Sequence, residues 1–180
     1  MVMPLAVPRF TIADLDRFPD DGNRYELLGG MLLVTPEAGP RHQVAAGRLC
    51  GMLWSYLGQH GPALIVSPGG IQIGEDTQLE PDILVVPARD ADASSWREIT
   101  EWWLAIEVSG VPSRVYDRDY KTAAYLEAGV REVWRADLRD RTIYVSKPRG
   151  GFEVPHAERL VWHPREMPAP LEIDVPFVFT

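Results

Sequence analysis

The 180-residue sequence contains a single cysteine, Cys50, only two lysines, and no apolar run of the length that crosses a membrane. One cysteine forms no intrachain disulfide and excludes a zinc site built from cysteine ligands. A reducing compartment suits such a chain, so we expect a cytoplasmic protein with no membrane contact. The first residues carry two prolines and no charged region before their apolar stretch, which is unlike a signal peptide.

Positive charge is also scarce, because 18 Lys and Arg residues face 26 Asp and Glu residues and the net charge is −8. This balance argues against a protein that coats nucleic acid through an overall positive field. Residues 114–149 are nevertheless locally basic, with nine basic and six acidic side chains. Such a segment suits either a phosphate backbone or simple exposure to solvent.

The composition, with 46% apolar and 24% charged residues, is typical of a globular chain. No repeat or flexible linker divides it, so we predict a single domain over residues 1–180 with a core at about 10–148. Five prolines interrupt the pattern from Pro155 onward. Residues 155–180 are therefore predicted to be an extended C-terminal tail with one edge strand near 171–173.

The hydrophobic pattern alternates between helix and strand periods along the chain. It predicts an N-terminal hairpin turning at Gly29-Gly30, and a helix over 115–128 that ends at Gly129. The other predicted helices cover 11–18 and 43–57, and the other predicted strands cover 63–66, 71–73, 83–86, 102–106, 130–136 and 142–145. This order predicts an α/β fold with a mixed central β-sheet flanked by helices.

Glu107 is the only charged residue in the apolar run 102–108. An unpaired carboxylate on a buried strand is costly, so it must be protonated, paired or bound to a metal. The alternative is that the strand end is exposed and Glu107 meets water.

Two further residues depart from their surroundings. Asp82 follows Pro81 at the head of an apolar strand, where it is either a functional group or an ordinary turn aspartate. Lys121 shares a helix face with Asp117 and Tyr125, four residues to either side. The alternative is that Asp117 and Lys121 form an ordinary ion pair on the surface. However, this chain uses sixteen arginines and only two lysines. A lysine differs from arginine in having a compact charge whose pKa shifts readily.

An Asp at one strand, a Glu on another and a nearby Lys are the groups that metal-dependent phosphodiester cleavage requires. Carboxylate oxygens bind Mg²⁺ or Mn²⁺, and the metal polarises the phosphate and activates a bound water. A lysine beside that water orients it or stabilises the developing charge.

The same residues carry a resemblance to a known family, the Uma-two family of the PD-(D/E)XK restriction-endonuclease-like superfamily. The matching segments in this sequence are Pro81-Asp82, 106–109, Ser113-Arg114, Asp117, Lys121, Tyr125, 128–130 and 132–134, with 24–27, Gly30 and His42 matching the N-terminal pattern.

The resemblance implies a restriction-endonuclease-like core and a Mg²⁺- or Mn²⁺-dependent endonuclease that hydrolyses DNA. Asp82 and Glu107 would be the metal carboxylates, and Glu26 a third acidic group at the site. His42 would touch the metal or a phosphate, or else be exposed at a helix start. The superfamily's usual lysine lies two residues after the Glu, where this chain has a serine, and Lys121 would take over its catalytic role.

Arg114, Asp117 and Tyr125 are the expected substrate-binding residues. For Tyr125, the competing roles are to hold Lys121 and to pack in the core. The segment from 109 to 113 departs from the family pattern. A catalytically inactive interaction or regulatory module therefore remains an alternative, and so does a hydrolase of small phosphoesters. The apolar residues 177–179 favour a homodimer, or else pack on their own domain.

Overall fold

The computed structural model describes residues 9–58, 61–110 and 113–180. Its strands are β1 (Arg24–Leu28), β2 (Met31–Thr35), β3 (Ala63–Val66), β4 (Ile71–Ile73), β5 (Thr77–Leu79), β6 (Ile83–Pro87), β7 (Leu104–Ser109), β8 (Val133–Asp137), β9 (Thr142–Lys147), β10 (Gly151–His156), β11 (Arg159–Trp162) and β12 (Leu171–Asp174). Its helices are α1 (Ile12–Leu15), α2 (Pro40–Leu57), α3 (Arg114–Tyr116), α4 (Thr122–Ala128) and α5 (Val175–Val178). Short 3₁₀ turns lie at Ala88–Asp90 and Trp96–Glu98, and a π-helical turn covers Asp117–Lys121.

A six-stranded sheet in the order β10-β9-β8-β7-β6-β3 forms the centre of the fold. Its neighbouring strands are antiparallel except β7 and β8, which run parallel and are joined through the helical segment between them. Every residue of β6 and β7 is buried, as expected for strands covered on both faces. The predicted α/β fold with a mixed central sheet is confirmed.

One face of this sheet packs against α2. The helix begins at Pro40, a residue type that suits a first helical position because the amide there needs no partner within the helix. Its buried stripe, which includes Leu49 and Leu53, packs with Ile83 and Trp134 of the sheet. This spacing of three and four residues is the one that the sequence pattern predicted.

The other face packs against a second sheet, in the order β2-β1-β5-β4. Leu33 and Leu79 of that sheet form a second core with Leu84 and Ala105 of the six-stranded sheet. The hairpin between β1 and β2 turns at Gly29 and Gly30, whose φ angles of 56° and 77° suit glycine. The strand β5 was not predicted.

The C-terminal residues are not the predicted extended tail. Strand β10 joins the central sheet through β9, and β11 pairs with β12 as a separate hairpin. This hairpin buries Trp162 and Ile173 in the core beneath α2. The proline-rich segment is therefore part of the packed structure. It contains more strands than the single edge strand that was predicted.

The predicted helix over 115–128 is divided into α3, the π-helical turn and α4. It ends as predicted at Gly129, whose left-handed φ of 101° caps α4. Of the atypical segment 109–113, residues 111 and 112 lie outside the described residues. Within the described part of the chain, no helix combines the length and apolar character needed to span a bilayer.

Candidate active site

The site lies where the two sheets meet. Glu107 follows Ala105 by two residues on β7, so its side chain is on the same face, toward the four-stranded sheet. Glu26 on β1 approaches from that second sheet, and Lys121 from the π-helical turn. Glu107 is only 2% exposed, so the interpretation that it simply meets water is wrong.

Lys121 joins the two glutamates. Its Nζ atom donates to Glu26 Oε2 at 2.5 Å and to Glu107 Oε1 at 3.3 Å. The second oxygen of Glu26 accepts the Glu80 amide at 2.8 Å. Lys121 is completely buried, so it is an internal cation and the surface interpretation is wrong. The carboxylates of Glu26 and Glu107 hold its amine in one position.

Asp82 lies immediately before β6 and is also buried. The pairing of β6 with β7 runs only to Ile83 opposite Ile106. Beyond that point Asp82 Oδ2 accepts the Val108 amide at 2.7 Å, so the side chain continues the hydrogen bonding of the strand pair. The turn interpretation of Asp82 is therefore incomplete, because this carboxylate is tied to the strand that carries Glu107.

His42, in the first turn of α2, completes the surroundings of Asp82. Its Nε2 atom lies 2.9 Å from Asp82 Oδ2, while its Nδ1 is buried without a hydrogen-bond partner among the described residues. The same aspartate accepts from Arg24 Nη1 at 2.9 Å through Oδ1. Both oxygens of Asp82 are thus engaged.

The π-helical turn places Asp117 and Lys121 on the buried side of the segment together. Asp117 Oδ2 accepts the Ser109 hydroxyl at 2.8 Å, and its Oδ1 lies 3.7 Å from Lys121 Nζ. Ser109 lies two residues after Glu107 on β7, and its hydroxyl fixes the aspartate beside the Lys121 amine.

Tyr125, one turn after Lys121 and fully buried, donates its hydroxyl to Glu107 Oε1 at 2.5 Å. Burial and the neighbouring Glu107 raise the pKa of Tyr125 well above its usual range, so the phenol keeps its proton. Glu107 therefore receives hydrogen bonds from two donors, Tyr125 and Lys121. Tyr125 was expected to bind substrate, to hold Lys121 or to pack in the core. In the structure its hydroxyl contacts the Glu107 carboxylate.

The electrostatics separate the two candidate metal carboxylates. Burial raises the pKa of Glu107 well above its ordinary value, although Lys121 acts in the opposite direction. Burial also acts to raise the pKa of Asp82, but the His42 hydrogen bond and the Arg24 charge outweigh it, so the net pKa is lowered. Asp82 is therefore the firmly ionised member of the pair.

Burial lowers the pKa of Lys121, but the charges of Glu107, Glu26 and Asp117 outweigh it and raise the pKa above the ordinary value. The amine is protonated at neutral pH. Asp117 is shifted upward, because burial raises its pKa more than Lys121 lowers it. The cluster consequently keeps a positive charge at its centre.

A cavity of about 960 Å³ opens beside Asp82. Its wall includes Arg24, Arg41, His42 and Glu80, together with the stacked rings of Phe18 and Tyr25. The buried Glu26, Glu107 and Lys121 do not line it. The ion cluster consists of the charged side chains in contact with one another here, Arg24, Glu26, Asp82, Glu107, Asp117 and Lys121. Of these, Asp82 and Arg24 face the open space.

Two predicted or missed residues remain to be placed. Arg114 lies apart from the cluster, where it pairs with Asp137 at 2.7 Å and with Asp140. Arg24, in contrast, was not predicted as a site residue, although its guanidinium contacts Asp82, Glu26 and Glu107. A signal was present, because residues 24 and 26 point to the same face of a strand.

The chain matches, over residues 12–174, the family described as "Uma2: Putative restriction endonuclease". It belongs to the Uma2 family. A crystal structure described as a "putative nuclease belonging to DUF820" from Anabaena variabilis ATCC 29413 has a TM-score of 0.75 at 18% sequence identity, covering 94% of this chain and 97% of the other. The comparison with curated proteins found no match.

Membership of the Uma2 family confirms the resemblance inferred from the sequence motifs, and the structural neighbour confirms the fold. The description of the Uma2 family supports a nuclease-like function. The roles of individual residues remain predictions. Across the described part of the chain, no three His, Cys, Asp or Glu side chains form a ready metal-binding group. Arg24 and Lys121 lie among the carboxylates instead.

Proposed function

We propose that this protein is a metal-dependent endonuclease that hydrolyses DNA phosphodiester bonds. The observation that carries the proposal is the convergence of Asp82, Glu107 and Lys121 from three separate elements, with Asp82 on the wall of a cavity. Each of these buried charged groups has a charged or hydrogen-bonding partner, as burial of a charge requires. The Uma2 family description supports the reaction class.

Three side chains offer donor atoms of the types that a divalent cation takes, although as arranged they form no ready metal-binding group. Asp82 and Glu107 offer carboxylate oxygens, which Mg²⁺ and Mn²⁺ prefer, and His42 offers an imidazole nitrogen. The Arg24 guanidinium, itself a cation, already bridges the two carboxylates, so the geometry there attracts positive charge. When bound, the metal would polarise the scissile phosphate and lower the pKa of a water.

Lys121 would assist the attacking water as a fixed cation. Because its pKa is raised, the amine stabilises negative charge on the phosphate and does not act as a base. Glu26 contacts the amine and accepts a backbone amide, so it would position Lys121 without touching substrate. Exposure of the amine to substrate requires an opening of the ion cluster.

DNA would enter through the cavity beside Asp82. Arg114, Asp117 and Tyr125 remain predictions as substrate-binding residues. Asp117 and Tyr125 contact Ser109 and Glu107 in the buried cluster. These contacts support a positioning role for both. The homodimer also stays a prediction, although Val178 packs into the core and Phe177 is 49% exposed.

Cleavage assays test the proposal. Supercoiled, linear and single-stranded DNA are incubated with Mg²⁺, Mn²⁺ or a chelator, and with wild type, Asp82→Asn and Lys121→Met. Cleavage that needs the metal and falls at least about 100-fold in both folded variants is expected. Glu132→Gln is the matched control, because Glu132 is also a buried carboxylate paired with a basic side chain and has no predicted role at the site.

Three results would contradict the proposal. Retained cleavage in both site variants would remove these residues from the reaction. Absence of both cleavage and Mn²⁺ binding in wild type would favour the alternative of a catalytically inactive interaction or regulatory module. Cleavage of a small phosphodiester but of none of the DNA forms would favour a small-molecule hydrolase.

A further inference from the structure

Arg24 occupies the position between the carboxylates. Its guanidinium donates to Asp82 Oδ1 at 2.9 Å, and it lies 3.5 Å from Glu26 Oε2 and 3.8 Å from Glu107 Oε2. The two residues proposed to hold the metal are therefore already bridged by a cation. These contacts with both carboxylates would have to change before a second cation could bind at the same oxygens, because like charges repel and the lone pairs are in use.

The charge of the cluster favours such an exchange. Glu26, Asp82, Glu107 and Asp117 supply four carboxylates, whereas Arg24 and Lys121 supply two positive charges. Acidic side chains therefore exceed basic ones by two in this group. A divalent cation in place of a single positive charge would reduce that excess, because its attraction to the carboxylates is larger.

Of the two cations, Arg24 is the one able to leave. Lys121 is completely buried and lies among three carboxylates. The side chain of Arg24 is 24% exposed and lines the cavity, and its Nη1 also donates to the Glu80 carbonyl near the same wall. A rotation of the arginine therefore moves its charge from the carboxylates into the open space.

A guanidinium released there has a natural partner. Its planar fork of N–H donors matches the oxygens of a phosphate and forms paired hydrogen bonds with it. The cavity is the space through which the proposed DNA substrate reaches Asp82. Arg24 would then lie beside the phosphate.

We propose that Arg24 is an exchange residue, which bridges Asp82 and Glu107 until a divalent cation replaces it and then contacts a phosphate of the bound nucleic acid. The inference rests on the proposed function, because it assumes that the two carboxylates bind the metal. It adds a residue that changes partners during loading of the site. Arg24 acts in this scheme as a competitor of the metal first and as a phosphate ligand second.

Mn²⁺ titration calorimetry tests the first half. Arg24→Gln removes the competing charge and keeps a polar side chain, so it should bind Mn²⁺ at least about tenfold more tightly than wild type does. Arg41→Gln is the matched control, because Arg41 lines the same cavity and forms no salt bridge within the described part of the chain. It should bind Mn²⁺ with the wild-type affinity.

DNA binding tests the second half. A short single-stranded oligonucleotide is titrated with and without Ca²⁺, and binding is followed by fluorescence anisotropy. Arg24→Gln should lower the affinity about fivefold or more with Ca²⁺, and should change it less than twofold without Ca²⁺. An equal loss under both conditions would overturn the exchange, because Arg24 would then contact DNA independently of the metal.

A measurement on the wild-type protein covers the case in which Arg24→Gln does not fold. The Nε–H signal of Arg24 is followed by NMR during a Mg²⁺ titration, and it should shift and exchange faster with solvent at the midpoint of metal binding. An unmoved signal during binding would overturn the inference. Wild-type Mn²⁺ binding that Arg24→Gln leaves equal or weakens would overturn it too, whereas no Mn²⁺ binding in either protein overturns the proposed function itself.

Discussion

The buried pair of Lys121 and Glu26 leads to a prediction of opposite effects in two backgrounds. In wild type, Lys121→Met removes the amine that contacts Glu26, Glu107 and Asp117. Breaking a buried ion pair from one side costs about 3–5 kcal/mol, because the partner charge is left without compensation. For a chain of this length that corresponds to a fall in Tm of roughly 6–20 °C.

Glu26→Gln alone should cost less, about 1–3 kcal/mol, since Lys121 keeps Glu107 and Asp117 as partners. In the Lys121→Met background the same change removes a buried charge that has lost its nearer cation and keeps only Arg24, at 3.5 Å. It should therefore stabilise that background by about 1–3 kcal/mol, which reverses the sign of its effect. The two substitutions should couple by about 2 kcal/mol or more.

Urea unfolding at pH 7 measures all four proteins, and similar m-values confirm that the same surface unfolds in each. Lys147→Met is the control, because Lys147 is the other lysine and pairs with Glu132 while about half exposed. It should cost about 1 kcal/mol or less. A Lys121→Met cost as small as the control, or effects that simply add, would refute the assignment of Lys121 as the internal cation of the cluster.

Three further predictions concern neighbouring features. Because burial raises the pKa of Glu107 above its ordinary value of 4.5, its ionised form costs stability; Glu107→Gln should gain on wild type as pH rises above 4.5, and a gain that is constant with pH in thermal unfolding would contradict this. Tyr125→Phe should lose about 1–2 kcal/mol of unfolding free energy through the lost hydrogen bond to Glu107, and an unchanged urea midpoint would argue against that bond. Trp162→Ala should cost about 3–5 kcal/mol in the same assay, whereas a cost below 1 kcal/mol would mean that the C-terminal hairpin does not support the core.

The sequence pattern predicts much of the fold, because its apolar runs correspond to strands and its helical spacing corresponds to a helix in the structure. The central strands β6 and β7 and the helix α2 were predicted from these patterns within a few residues. The C-terminal hairpin was missed because prolines were interpreted as interruptions. Pro155 lies in β10, which among the described strands pairs with β9 alone and so has one edge without a partner strand there, where a residue without an amide donor is tolerated.

The candidate site was also predicted only in part. Glu107 and Lys121 were found because each breaks a local pattern, one as a charge in an apolar run and the other as a rare lysine. Arg24 breaks none, since arginine is common in this chain and β1 is only half buried at its start. Its importance depends on residues far away in sequence that the two sheets bring together. Contacts between residues so far apart in sequence cannot be predicted from local spacing.

The hydrogen bond from the Val108 amide to Asp82 has a consequence for the history of the Uma2 family. Asp82 extends a strand pair as well as facing the cavity, so selection for a folded protein preserves an acceptor there even without selection for cleavage. Among the contacts described above, His42 makes no comparable hydrogen bond to the backbone. A lineage without the proposed reaction should therefore change first at position 42 and keep position 82 for much longer.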